Sequence, residues 1–220
     1  MRCDFFINLQ ETSDEKGRAG PMSKKRDIIK LFSDHVSPGK VDIYTKYDML
    51  LVPGLRSGPY IYDIEGKRYI NCHCNGGVFN LGHRNNRVIR AVTDSMKTYD
   101  IGNHHLISAP KAKLAELIAQ SMPRGINQVV YGAGGGEAVD LAIKLSRGVT
   151  GRLEILSARG GYHGHTGLAL ATGDLKFKEK FGPPVPGFQQ IDFNDIKSLE
   201  GAISKKTAAV IFETIPATMG

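Results

Sequence analysis

The chain has 220 residues, 41% of them hydrophobic and 23% charged, which is an ordinary balance for a globular protein. No apolar run is long enough to cross a bilayer, so the sequence predicts no membrane span. The net charge of +7 comes from Lys and Arg residues scattered among acidic ones, which favours a solvated surface over nucleic-acid binding.

The beginning of the chain and its cysteines bear on its location in the cell. Residues 1–20 include several acidic residues and no long apolar core, so we expect neither a secretory nor an organelle-targeting peptide. We predict a flexible tail over residues 1–26. Cys3, Cys72 and Cys74 are few and odd in number, which favours a reducing compartment and therefore a cytoplasmic protein.

Residues 27–105 form the predicted N-terminal segment, a small α+β unit. Its apolar spacing and turn residues predict a helix over 27–36 ended by Pro38-Gly39, a hairpin over 58–70 around a Glu-Gly turn, and a helix over 86–96.

Residues 106–220 alternate predicted helices and strands. The pattern gives helices over 109–122, 137–147 and 195–203, and strands over 128–131, 153–157 and 208–213. Such alternation is typical of a mainly parallel α/β sheet, in which ligands bind beyond the carboxyl ends of the strands. Because the sequence stops a few residues after the last strand, we expect an incomplete domain.

The glycine run at 132–136 lies between a predicted strand and a predicted helix. Unpaired N–H groups and the positive end of the helix dipole suit a phosphate there, although a tight turn without a ligand is the alternative. No Gly-Lys-Ser/Thr follows, which disfavours a nucleotide triphosphate. Glu137 would repel a phosphate, so we expect its carboxylate to point away. Ala138, Leu141, Ala142 and Leu145 predict the apolar face of this helix.

Two further motifs follow predicted strands. The run Tyr162-His163-Gly164-His165 offers a stacking surface for a flat heterocycle, or simply a packed tyrosine. Zinc is disfavoured because the pairs Cys72/Cys74 and His163/His165 lack structural-zinc spacing, and we expect no metal site. Glu213 ends a strand, where a carboxylate is either a site residue or paired structurally.

Several of these segments together resemble the class III aminotransferases, pyridoxal-phosphate (PLP) enzymes of fold type I. The resemblance runs from about residue 54 to 220. It is carried by residues 58–70 (GPYIYDIEGKRYI), 76–83 (GGVFNLGH), 133–147 (AGGGEAVDLAIKLSR), 162–164 (YHG) and 212–215 (FETI). It implies the first part of an aspartate aminotransferase-like large domain with a mainly parallel sheet.

The resemblance also implies a role for each matching residue. Gly135 and Gly136 would hold the phosphate of PLP through backbone N–H groups. Tyr162 would stack on the pyridine ring with His163 beside it, and Glu213 would lie near the cofactor or substrate. The expected reaction moves an amino group from an amine or amino acid to a keto acid or aldehyde, in a homodimer to which residues 71–110 contribute.

Departures from the family pattern limit these expectations. Gly136 stands where the family has Thr or Ser, which removes a hydroxyl, and Thr218 stands where many members carry a glutamate. No lysine here matches the motif of the Schiff-base Lys, and the Asp that pairs with the pyridine nitrogen is also absent. We therefore expect the chain alone to be inactive. A glutamate-1-semialdehyde-type aminomutase and a non-catalytic fragment or phosphate-binding module remain alternatives.

Overall fold

The computed structural model describes residues 25–99 and 106–218. The chain divides into two compact units, Met1–Asn103 and His104–Gly220. Cys3 and most of the predicted tail lie outside the described residues.

The helices of the first unit are α1 (Lys25–His35), α2 (Pro38–Lys46) and α3 (Asn86–Ser95). Of these, α1 and α3 were predicted. The predicted end of α1 before Pro38-Gly39 is confirmed, but a second helix, α2, begins at Pro38 and was not predicted. Pro38 is tolerated in the first turn, where a backbone N–H has no helical acceptor in any case. The side chain of Ser37 caps this helix by accepting a hydrogen bond from the Lys40 N–H at 3.2 Å.

The sheet of the first unit has three antiparallel strands in the order β1-β2-β3. They are β1 (Pro53–Ser57), β2 (Tyr60–Asp63) and β3 (Arg68–Ile70). The β2–β3 pair confirms the predicted hairpin, with Ile61 opposite Tyr69. β1 was not predicted, because its Pro-Gly start reads as a loop.

The second unit contains five helices and a three-stranded parallel sheet among the residues described. The helices are α4 (Ala109–Ser121), α5 (Gly135–Thr150), α6 (Gly167–Thr172), α7 (Leu175–Lys178) and α8 (Ile196–Ala202). The strands are β4 (Glu154–Ala158), β5 (Phe188–Ile191) and β6 (Thr207–Ile211), arranged β5-β4-β6. Both pairings are parallel, which confirms the predicted sheet type.

β4 is the centre of this unit. As the middle strand of a parallel sheet it is covered on both faces, and Ile155, Leu156, Ser157 and Ala158 are buried. The one hydroxyl in this run is satisfied, since Ser157 Oγ donates to the Thr172 carbonyl at 2.7 Å. Burial therefore fixes the position of the carboxyl end of β4, from which the next loop starts.

The strand predicted over 128–131 is wrong. The segment is extended but finds no neighbouring strand among the described residues, and a strand requires a hydrogen-bonded ladder. Val130 is 60% exposed, and Tyr131 instead donates its hydroxyl to the Lys111 carbonyl at 2.8 Å.

The predicted apolar face of α5 is also wrong. Ile143 is its buried residue, whereas Leu145 is 51% exposed. α5 packs against α6 and β6. Because apolar residues occur on more than one side of this helix, periodicity did not identify the covered one. β5, α6 and α7, each six residues or shorter, were not predicted.

None of the described helices combines the length and apolar character that a bilayer crossing requires.

Candidate functional site

The glycine turn leads directly into α5. Gly134 is its extended N-cap and provides no side-chain cap, and the helix starts at Gly135, two residues before the predicted start. The Glu137 carboxylate accepts a hydrogen bond from the Ala133 N–H. It therefore turns back onto the preceding loop. Within the described residues, no protein group accepts from the N–H of Gly135 or Gly136.

The loop after β4 lies against this helix end. A methyl group added to Gly164 would lie 2.7 Å from Gly136 Cα, so the two backbones are in direct contact. Gly164 has a φ of +127°, a conformation open to glycine and strained for other residues. Gly136 and the residues around Gly164 therefore form one surface.

Three side chains hold this loop in place. The Asp174 carboxylate accepts from the Gly160 N–H at 2.9 Å, and Thr218 donates its hydroxyl to the Gly160 carbonyl. Glu213 accepts from the Tyr162 N–H at 2.8 Å through Oε2 and from the Ala217 N–H at 3.1 Å through Oε1. Glu213 thus joins the loop after β4 to the loop after β6.

Tyr162 keeps 39% of its surface accessible. Its ring packs edge-on with His165 at a centroid distance of 5.2 Å and with Phe177 at 6.5 Å. These contacts restrict the ring without burying it. Tyr162 can therefore present an aromatic surface next to the start of α5.

His163 is half-buried, and its Nε2 atom is shielded from solvent with no hydrogen-bond partner among the described residues. Burial lowers the pKa of His163 below its ordinary value, and the nearby Glu213 carboxylate raises it in part. The ring is therefore held in its neutral form more strongly than in the unfolded chain.

This pKa shift predicts a pH dependence of stability. Because the unfolded state takes up the proton first, the free energy of unfolding contributed by His163 falls as the pH drops from above 6.5 toward the folded pKa. Urea unfolding at pH 7.5 and pH 5.5 should show a smaller acid-induced loss for His163→Gln than for the wild-type chain. The same loss in both would contradict the shift. His73→Gln, at an exposed position, is the matched control.

The five predicted site residues lie around the loop after β4. Gly135 and Gly136 begin α5, where Gly136 contacts this loop at Gly164, and Tyr162 and His163 lie beside Glu213. Sequence reasoning missed Asp174, Asp140 and Thr166, which fix or line the same surface. Asp140 and Thr166 can be identified only from contacts between α5 and α6, and α6 was itself not predicted.

Cys72 and Cys74 are free thiols of the first unit. No cluster of three or more metal-ligating side chains occurs among residues 25–99 and 106–218.

The relatives and solved structures described next are all named as aminotransferases. An Archaeoglobus fulgidus protein named as an uncharacterized aminotransferase is 50% identical over 93% of this chain and 47% of its own length. The acetylornithine aminotransferase of Methanopyrus kandleri is 34% identical over 82% of this chain and 46% of its own length. The chain thus spans about half the length of these relatives.

The taurine:2-oxoglutarate aminotransferase of Bifidobacterium kashiwanohense, solved with PLP and glutamate, superposes with a TM-score of 0.74. The superposition covers 88% of this chain and 48% of that one, at 23% identity. This likeness shows the fold, that of the fold-type-I transaminases, as the sequence predicts. The profile of the family described as Aminotransferase class-III matches residues 44–220. The chain belongs to the class III aminotransferase family.

Proposed function

We propose that this chain forms the part of a PLP-dependent aminotransferase that binds the phosphate and faces the ring of the cofactor. The observation that carries the proposal is the pair of N–H groups at Gly135 and Gly136, which have no acceptor among the described residues and lie beside the loop of Tyr162. A 16-residue helix behind them adds the positive end of its dipole.

The residues present fit a phosphate ester attached to an aromatic ring. The one acidic side chain in the first turn of α5, Glu137, has its carboxylate engaged with the Ala133 N–H. The Nε2 atom of His163 is buried and unpartnered, so a polar group of a ligand could satisfy it. Tyr162 supplies accessible aromatic surface. When bound, PLP supplies the electron sink that amino-group transfer requires.

In this proposal Glu213 positions the loop after β4 and takes no part in the reaction itself. Its two carboxylate oxygens are taken by the N–H groups of Tyr162 and Ala217. It therefore sets the backbone from which Tyr162 and His163 project. This assignment favours the structural pairing that the sequence left open for Glu213.

We further propose that the 220-residue chain does not transaminate by itself. No lysine in it matches the family motif for the Schiff-base Lys, and without that residue the cofactor has neither its covalent anchor nor a proton carrier. Incubation with PLP and amino donors, followed by borohydride reduction and peptide mapping, should give neither turnover nor an adduct confined to one lysine. Turnover with a single modified lysine would refute this.

The substrates of the whole enzyme are proposed as an amino acid or amine donor and a keto acid or aldehyde acceptor. The donor class is supported by the relative named as an acetylornithine aminotransferase. An aminomutase would share the same cofactor surface, and substrate profiling of the whole enzyme separates the two. A phosphate-binding module without catalysis would bind the cofactor while the whole protein transferred no amino group.

Two properties of the whole protein are also proposals. We propose a homodimer to which residues 71–110 contribute, supported by the exposed apolar side chains of Val78 and Leu81, which are 73% and 71% accessible. We propose a cytoplasmic location, supported by the free thiols of Cys72 and Cys74.

The binding proposal is tested by calorimetric titration of the chain with pyridoxamine 5′-phosphate, which cannot form Schiff bases with surface lysines. Pyridoxamine, which lacks the phosphate, should bind far more weakly. Tyr162→Ala should reduce the affinity by about three- to tenfold, from a stacking contribution of roughly 0.5–1.5 kcal/mol. Tyr47→Ala, at a 62% exposed position of the first unit, should have no effect. Equal affinity for the two ligands would refute a phosphate site.

A further inference from the structure

Thr166 precedes α6 but does not cap it. Its backbone is extended, with φ −78° and ψ 167°, which is the conformation of an N-cap residue. A threonine in this position ordinarily accepts a hydrogen bond from an N–H in the first turn of the helix. No such side-chain bond is present, so the hydroxyl is directed elsewhere.

Asp140 explains why this hydroxyl is free. Its carboxylate, which projects from α5, accepts from the Ala169 N–H at 2.7 Å. Ala169 is the third residue of α6, whose N–H an N-cap threonine would normally take. Asp140 therefore caps α6 in place of Thr166.

The Thr166 hydroxyl lies where a side chain at position 136 would be. A methyl group added to Gly136 would lie 2.8 Å from Thr166 Oγ1 and 3.1 Å from its Cγ2. The first distance is shorter than real Cβ contacts, so a larger residue at 136 requires the Thr166 side chain to move. Within the described residues, the hydroxyl has no hydrogen-bond partner.

We propose that Thr166 supplies to the cofactor phosphate the hydroxyl that Gly136 cannot. The inference rests on the proposed cofactor site. The family's hydroxyl at position 136 is absent here, and the hydroxyl of a threonine 30 residues later lies next to the space that a side chain at 136 would take. Gly136 is then the partner that makes room for Thr166. Asp140 is a positioning residue, because it takes the N–H that would otherwise hold the hydroxyl against α6.

The test compares variants of the full chain by calorimetry with pyridoxamine 5′-phosphate and with pyridoxamine. Thr166→Val should lower the affinity for the phosphorylated ligand about tenfold or more, the effect of one hydrogen bond to a charged group. Thr166→Ser keeps the hydroxyl and should stay within about threefold of wild type. Affinity for pyridoxamine should be unchanged in both. Thermal melts verify that each variant is folded.

A second set of variants returns a hydroxyl to position 136 and tests the role of Asp140. Thr166→Ala should bind as weakly as Thr166→Val, and adding Gly136→Thr to Thr166→Ala should restore most of the lost affinity. Asp140→Ala should weaken binding of the phosphorylated ligand in the wild-type background but have little further effect in Thr166→Val. This dependence would distinguish positioning of the hydroxyl from a general loss of stability.

The outcomes separate this inference from the function on which it rests. If the wild-type chain does not bind pyridoxamine 5′-phosphate, the cofactor site is refuted and Thr166 has no ligand. If wild type binds it and Thr166→Val binds equally well, the site stands and the role of Thr166 is refuted. A double variant as weak as Thr166→Ala would show that the two hydroxyl positions are not equivalent, which also contradicts the inference.

Discussion

Gly135→Pro is expected to reduce the affinity for pyridoxamine 5′-phosphate by about ten- to hundredfold. The change deletes one N–H that donates to the phosphate, and a hydrogen bond to a charged group is worth roughly 1.5–3 kcal/mol. Gly135 is the first residue of α5, where proline fits the helix. Gly134 before it is extended, with φ −159° and ψ 170°, as a residue before proline requires. Calorimetry measures the effect.

Gly135→Ala is the matched control for this substitution. A Cβ at position 135 meets no atom within 4 Å, and alanine keeps the N–H. The alanine variant should therefore bind like wild type, and both variants should retain the thermal stability of the parent chain. Equal affinity of the proline and alanine variants would show that this N–H does not contact the ligand.

The largest effect on stability is expected from Gly164→Ala. The added methyl would lie 2.7 Å from Gly136 Cα, and the residue would be held at a φ of +127°. Overpacking and backbone strain each cost roughly 1–3 kcal/mol, so we expect a loss of about 3 kcal/mol in the free energy of unfolding. For a chain of this size the melting temperature should fall by roughly 10 °C, as calorimetry or circular dichroism can measure.

The control for Gly164→Ala lies three residues further along the chain. A methyl group added to Gly167 would meet no atom within 4 Å, and the φ of this residue is not positive. Gly167→Ala should leave the melting temperature within a few degrees of wild type or raise it slightly. If Gly164→Ala were equally harmless, the close contact between its loop and the start of α5 would not be a feature of the folded chain.

Local patterns were sufficient to predict much of this fold. The glycine turn before α5, the hairpin at β2–β3 and the parallel sheet each follow from residues close together in the chain. The same local logic predicted the bounds of α4 and α8 to within one residue. It failed at residues 128–131, because whether an extended segment becomes a strand depends on a neighbour that local sequence does not reveal.

The chemistry of the site was harder to predict than its position. From sequence, the glycine at position 136 indicates that the family's hydroxyl is missing, because no residue nearby in the chain supplies one. Thr166 reaches that space only because α6 packs on α5 and Asp140 takes the capping N–H. Likewise, the pairing of Glu213 with two backbone N–H groups depends on the loops after β4 and β6 lying side by side. Such relations are properties of tertiary packing.

The central claim is that the N–H groups at the start of α5 bind the phosphate of the cofactor. Its most direct test is the backbone amide spectrum of ¹⁵N-labelled chain during titration with pyridoxamine 5′-phosphate and, separately, with pyridoxamine. We predict that the amide resonances of Gly135 and Gly136 move most with the phosphorylated ligand and stay in place with pyridoxamine. Unchanged resonances at these two glycines while the ligand binds would contradict the claim.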